Sequence, residues 1–331
     1  MKITATRSDK FYKEVIELLI KAKENVVQSI NTTMVKTYYE IGRLIVTEEQ
    51  FGNRKAKYGQ QLINKLSERL SSEFGKGFSE TNIKQMRSFY LSYSIGQKPS
   101  DQFRLSWSHY LKLMRIDDIN ERRFYEIETF KNNWSLKELQ RQFDSALYTR
   151  IKLGMDKNKP NELSEKGLII NNPKDTIKDP YILEFLELPE HSKYIESDLE
   201  AGLINKLEQF LLELGTGFSF VARQKRITFY DRHFYIDLVF YNRIVKCFLL
   251  IDLKIGELKH KDIGQMQMYV NYYDREIILP EENKTLGLIL CQNKNESVIR
   301  YTLPENNTQI FASKYQTILP SKEILKEILE K

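Results

Sequence analysis

The feature of this 331-residue chain that most suggests chemistry is an acid and a base two residues apart, Asp252 and Lys254, near the end of the apolar run Cys247-Phe248-Leu249-Leu250-Ile251-Asp252-Leu253-Lys254. Side chains alternate across a strand, so both project from one face, about 6 to 7 Å apart along the backbone. A carboxylate and an ammonium on a buried strand are costly unless a partner compensates them. A second acid, Asp237, interrupts Phe234-Tyr235-Ile236-Asp237-Leu238-Val239-Phe240-Tyr241, whose two apolar faces mark a central strand. Glu200 belongs to the stripe Glu200, Leu203, Leu207, Phe210 and Leu214, which turns it toward the edge of a core. Glu196 lies one turn earlier on much the same stripe, and spacing alone does not choose between the two.

Two or three carboxylates and one lysine, delivered by a helix and two neighbouring strands, form a hard, oxygen-rich site suited to Mg2+ or Mn2+. An ion there could acidify a bound water and clamp a phosphate oxygen, while the lysine orients the nucleophile or offsets transition-state charge. Competing chemistries find no support. The sequence has no Walker A loop, no dinucleotide glycine fingerprint after a strand, no paired-histidine zinc helix and no glycine-flanked serine elbow. An isolated D-x-K is usually a solvated strand end; its conjunction with Asp237 and Glu200 is what gives it weight.

The elements that must position these residues fall in the second half of the chain. Ser197 to Leu214 reads as an amphipathic helix, Phe218 to Gln224 and Ile227 to Tyr230 as a hairpin, and Phe234 to Tyr241 as a strand. After the opening strand come a helix from Lys261 to Tyr273, a strand from Leu286 to Cys291, a weaker strand from Gln309 to Ala312 and a closing helix after Pro320. Gly154 to Pro180, with three prolines and little periodicity, is the natural boundary. The half before it is helical, with apolar residues at three- and four-residue spacing over Phe11 to Val27 and Met34 to Val46 and again at Leu62, Leu66 and Leu70.

Gly75-Lys76-Gly77 stops that last helix and Ser79 can cap the next, which bears Lys84 and Arg87. This is either a DNA-binding helix-turn-helix or the commoner plain helical hairpin. Asp118 with Glu121 and Ser135 with Glu138 match capping boxes. Trp107 and Trp134 read as packing residues, and His109, with no second histidine at ligand spacing, as a polar cap or interhelical contact.

Net charge is +6, divided as +9 over residues 1–155 and −3 over residues 156–331. The basic half is the better surface for a polyanion, although such an excess is also common on plain helical surfaces. Arg223, Lys225 and Arg226 either grip phosphates or blunt an edge hairpin. Cys247 and Cys291 sit in apolar runs and read as small buried hydrophobes. No apolar leader and no stretch of about 20 apolar residues is present, so a cytoplasmic protein without membrane segments is expected.

The order Glu200, Asp237, Asp252-Leu253-Lys254 resembles the PD-(D/E)XK nuclease superfamily, and Gly264-Gln265-Met266 looks like part of its following helix. Phe234 to Tyr241, Asp252-Leu253-Lys254-Ile255-Gly256, Gly264-Gln265-Met266 and Gly287-Leu288-Ile289-Leu290-Cys291 resemble the bacterial YhcG family within it. Leu105-Ser106-Trp107-Ser108-His109-Tyr110 and Trp134-Ser135-Leu136-Lys137-Glu138-Leu139 are similar to that family's helical N-terminal domain. Ile236 stands where the superfamily's name has proline, and Asp252 is the shorter of the two acids the motif allows.

The resemblance implies an all-helical domain over 1–155 for DNA or partner binding, a linker over 156–180, and a restriction-endonuclease-like mixed sheet flanked by helices over 181–331. It implies Mg2+- or Mn2+-dependent hydrolysis of phosphodiester bonds, most naturally in DNA. Asp237 and Asp252 would hold the metal, Glu200 would support a ligand water or second ion, Lys254 would position the attacking water, and Gln265 would complete the site. Lys84, Arg87, Arg223 and Lys225 would meet nucleic acid, and cutting both strands would favour a homodimer. The rival expectation is an inactive nucleic-acid-binding or assembly subunit that keeps the nuclease fold.

Overall fold

The computed structural model describes residues 7–51, 56–94, 103–154, 162–188 and 194–319, and the chain divides into two compact units, Met1–Gln140 and Arg141–Lys331. The first is helical: α1 (Arg7–Phe51), α2 (Ala56–Phe74), α3 (Glu80–Tyr93), α4 (Trp107–Leu113), α5 (Ile119–Lys131) and the start of α6 (Leu136–Asp144). Where the apolar spacing suggests two successive helices, α1 is continuous, because Ser29 to Thr33 between them contains no glycine or proline to break it. Its one glycine, Gly42, lets α3 approach closely: a Cβ there would lie 2.1 Å from the Met86 carbonyl oxygen.

The caps of this unit follow the sequence. Ser79 Oγ accepts the Asn82 N–H, the Asp118 carboxylate accepts those of Asn120 and Glu121, and Ser135 Oγ accepts that of Glu138. His109 ties helix to loop, with Nδ1 2.7 Å from Ser106 Oγ and Nε2 3.1 Å from the Trp134 carbonyl. Trp107 packs edge-on against Tyr38 and Phe89 and donates its indole N–H to Asn82. It is a packing residue, as its setting suggests.

The second unit contains α7 (Leu147–Gly154), α8 (Glu162–Lys166), β1 (Tyr181–Ile182), α9 (Glu196–Asn205), α10 (Leu207–Leu214), β2 (Phe218–Phe229), β3 (Arg232–Asn242), β4 (Cys247–Glu257), α11 (His260–Tyr272), β5 (Leu286–Asn293), α12 (Glu296–Thr302) and β6 (Ile310–Gln316). Among the described residues the strands form one six-stranded sheet in the order β1-β6-β5-β4-β3-β2. The β2–β3 and β3–β4 pairs are antiparallel and the remaining pairs parallel, so the sheet is mixed. Leu238, Phe240, Leu249 and Ile251 pack with Leu199, Leu203 and Phe210 from α9 and α10. Val239, Leu250 and Ile289 pack with Met266, Tyr269 and Val270 from α11. A helical unit followed by a mixed sheet with helices on both faces is the architecture expected above. Gly287 lets α11 lie close on β5, since a Cβ there would sit 2.6 Å from Met266.

Two expectations about the second unit need correction. Phe218 to Tyr230 is not a hairpin: β2 is one long strand, and the turn comes at Tyr230 and Asp231, with Tyr230 at φ 51°. The helix expected over Ser197 to Leu214 is two helices that meet at Lys206, whose φ of −114° departs from helical values. The second compact unit begins at Arg141. There Glu213, fully buried on α10, is bonded by Arg150 at 2.6 Å and Arg141 at 3.2 Å, which anchors residues 141–150 to the sheet unit. The closing helix expected after Pro320 lies outside the described residues.

Candidate active site

The site begins where β3 and β4 part. Their ladder runs from Asn242–Cys247 to Leu238–Ile251 and stops there. Two residues further along β4, the Leu253 N–H finds a side chain in place of a strand carbonyl: it donates to Asp237 Oδ2 at 2.7 Å. Asp237 thus satisfies a backbone donor that the diverging strand no longer can, and its carboxylate lies in the fork between the strands. On β4, Asp252 is 2 % exposed and its Oδ2 lies 2.8 Å from Lys254 Nζ. Among the described residues no other donor reaches Asp252 Oδ2, so Lys254 is its close charged partner.

Helix α9 supplies two acids with different partners. Glu200, buried, accepts from Arg223 Nε on one oxygen and from Gln224 Nε2 on the other. The same Gln224 nitrogen donates to Asp237 Oδ1 at 2.9 Å, which links the helix acid to the strand acid. Glu196 lies 3.6 Å from Lys254 Nζ and accepts the Ile255 N–H at 3.3 Å. Glu200 is thus linked to Asp237 through Gln224, and Glu196 lies beside the lysine.

The electrostatics follow from this crowding. Burial pushes the Asp252 carboxyl up to about 7, with Lys254 opposing and Asp237 reinforcing the rise. Burial likewise raises Asp237, against the Leu253 N–H and Lys254. For Lys254, burial acts to lower the value, but the charges of Asp252, Glu196 and Asp237 outweigh it and hold the ammonium above its ordinary range. The lysine is therefore a cation at neutral pH, with a charge and protons to donate and no lone pair to serve as a base.

A divalent cation fits this donor set. The fork presents carboxylate oxygens without sulfur or imidazole, and Asp252 offers a buried carboxylate whose close charged partner is Lys254, a donor set that suits a hard ion. Among the described residues no three His, Cys, Asp or Glu side chains are already gathered around one point. An ion would complete its shell with water and phosphate oxygens, as Mg2+ commonly does.

The remaining sequence candidates lie as follows. Gln265 on α11 donates to the Tyr269 hydroxyl, which donates to the Tyr235 carbonyl at 2.8 Å, so it is bonded to the wall of the fork and not to a carboxylate. Arg223 is engaged by Glu200, while Lys225 is exposed on the same strand. In the helical unit Arg87 pairs with Glu49 at 2.7 Å and Lys84 with Glu80 at 3.5 Å. Cys247 and Cys291 are buried free thiols, raised by burial to about 12 and about 11, as their apolar settings suggest. Sequence reasoning missed Gln224, whose role depends on a backbone angle that no residue pattern announces, and Tyr269, which reads as plain helix core.

These features define a nuclease domain of PDDEXK type: residues 174–330 match the family model described as the YhcG PDDEXK nuclease domain. Residues 14–150 match the model described as the DUF1016 N-terminal domain. The protein named "Putative nuclease YhcG" from Escherichia coli (strain K12) is 38% identical over 345 residues, covering 95% of this chain and 92% of that one. The chain belongs to the YhcG family. Among solved structures, a repair endonuclease from Pyrococcus abyssi aligns with a TM-score of 0.27 and 19% identity over 39% of this chain and 50% of that one. An EndoMS–dsDNA complex aligns with a TM-score of 0.28 and 13% identity over 41% and 51%.

Proposed function

We propose that this protein is a Mg2+- or Mn2+-dependent endonuclease that hydrolyses phosphodiester bonds in DNA, in a repair, recombination or defence role in the cytoplasm. The observation that carries the reading is the fork itself: a buried Asp252 carboxylate met by Lys254 alone, beside Asp237, with that lysine held cationic, in a member of a nuclease family. Asp237 and Asp252 would hold the ion, which when bound supplies a more acidic water and a clamp for phosphate oxygen. Lys254 orients the attacking water and offsets charge on the phosphate. Glu200 bears on Asp237 through Gln224, and Glu196 fixes the lysine from the other side. Gln265 steadies the Tyr269 wall.

The basic helical unit would draw the polyanion in, with Arg223 and Lys225 meeting phosphates near the fork. Lys84 and Arg87 would first have to give up Glu80 and Glu49. Cutting both strands of a duplex would call for a homodimer.

A panel of labelled DNA and RNA forms incubated with Mg2+ or Mn2+ tests the proposal. Wild type should cut at least one form, and Lys254→Ala and Asp252→Ala should each lower the rate at least ~100-fold with the circular dichroism spectrum unchanged. Cleavage that survives both substitutions would sink it, and binding without turnover on every form would favour the inactive subunit.

A further inference from the structure

Gln224 lies in β2 between Arg223, which pairs with Leu238, and Lys225, which pairs with Ile236, and so stands opposite Asp237. In a regular strand, consecutive side chains leave opposite faces. Here they do not: Arg223 and Gln224 both reach Glu200, one on each oxygen. The cause is the backbone of Gln224, whose φ of 47° lies in the left-handed region that side chains other than glycine avoid. Gln224 is exposed, so no packing demands this conformation. Its visible return is the amide, whose Nε2 donates to Glu200 and, at 2.9 Å, to Asp237. One neutral group therefore joins acids from a helix and a strand that would otherwise repel each other.

Building on the nuclease reading, we propose that Gln224 is a positioning residue: its amide fixes the Glu200 and Asp237 carboxylates in one arrangement before a divalent cation binds, and the left-handed peptide of β2 is the device that puts it there. The motif that names the family contains no such residue, and Gln224 itself need not touch the ion.

Two substitutions test this in the full-length protein. Gln224→Met keeps the length and removes the donor; Gln224→Gly removes the donor and adopts the left-handed angle freely. In calorimetric titration with Mn2+, both should bind about 10-fold more weakly than wild type, the usual scale for losing a partner that orients a metal ligand. The Mg2+ concentration for half-maximal cleavage should rise by a similar factor, with a smaller change in the rate at saturating metal. A metal-free arm reads the bridge directly: in thermal unfolding, Gln224→Met and Asp237→Asn together should lose less than the sum of the single losses. Unchanged metal affinity in both variants, or additive losses in the metal-free cycle, would overturn the proposal. If wild type neither binds Mn2+ nor cuts, the nuclease reading fails, and the metal-free cycle alone decides whether Gln224 couples the two acids.

Discussion

Burial, opposed by Lys254 and reinforced by Asp237, sets the Asp252 carboxyl near 7, within the working range of most assays. A cation competes with the proton for that oxygen. Above pH 7 Asp252 is ionised and Mn2+ affinity should be level; below it, affinity should fall about tenfold per pH unit. Calorimetry between pH 5.5 and 8.5 would show the slope, and Asp252→Asn should bind weakly with a shallower slope, since Asp237 remains to compete for protons. A wild-type affinity flat across that range would mean that Asp252 does not bind the ion. Asp237, Asp252 and Lys254 were legible because charge interrupts otherwise apolar strands, and burial without a partner is expensive in any sequence. Gln224 was not, because a glutamine among Arg223, Lys225 and Arg226 is ordinary surface composition, and only its φ reveals what it does.

At the scale of elements, α10 is fixed by charge as well as by apolar packing. Burial alone would raise Glu213, but Arg150, Lys178 and Arg141 outweigh it and bring the carboxyl down to about 2. Its folded value therefore lies below its unfolded one of 4.5, so the stability it contributes is fully present above pH 4.5 and is lost as the pH falls toward 2. Glu213→Gln leaves the buried Arg150 guanidinium undercompensated, while Arg141 keeps Glu184, and should cost about 3–5 kcal/mol at pH 7 in denaturant unfolding. The deficit should shrink as the pH is lowered through that window. A constant deficit down to pH 2 would remove the ionic account. Boundaries read from sequence failed where no glycine or proline marked them: Lys206 breaks α9 from α10 without either, and the polar run Arg223 to Arg226 imitates a turn while remaining strand. Apolar periodicity marked the buried faces of α9 to α11, yet over Phe11 to Val27 the same spacing falls on exposed residues, and it is blind to a single backbone angle.

For the whole molecule, the two family matches divide the chain much as its composition does, with a basic helical half ahead of a sheet that carries the acids. Among the described residues no helix is long and apolar enough to cross a membrane. What composition could not show is that β2, the strand holding Gln224, lies at the outer edge of the sheet. Edge strands offer unpaired backbone groups to other chains, and this one exposes Phe220 and Val221 as well. Its register shift between Phe220 and Ala222, the left-handed peptide at Gln224 and the cations of Lys225 and Arg226 interrupt that row. Replacing Lys225 and Arg226 together by valine should lower the temperature at which light scattering begins, by about 5 °C or more, while moving the unfolding midpoint little. An unchanged onset would mean that these cations do not guard the edge. The left-handed peptide that serves two carboxylates inside the fork thus lies in the same edge strand as the cations expected to guard it, so a change at this edge would bear on the geometry of the acids as well.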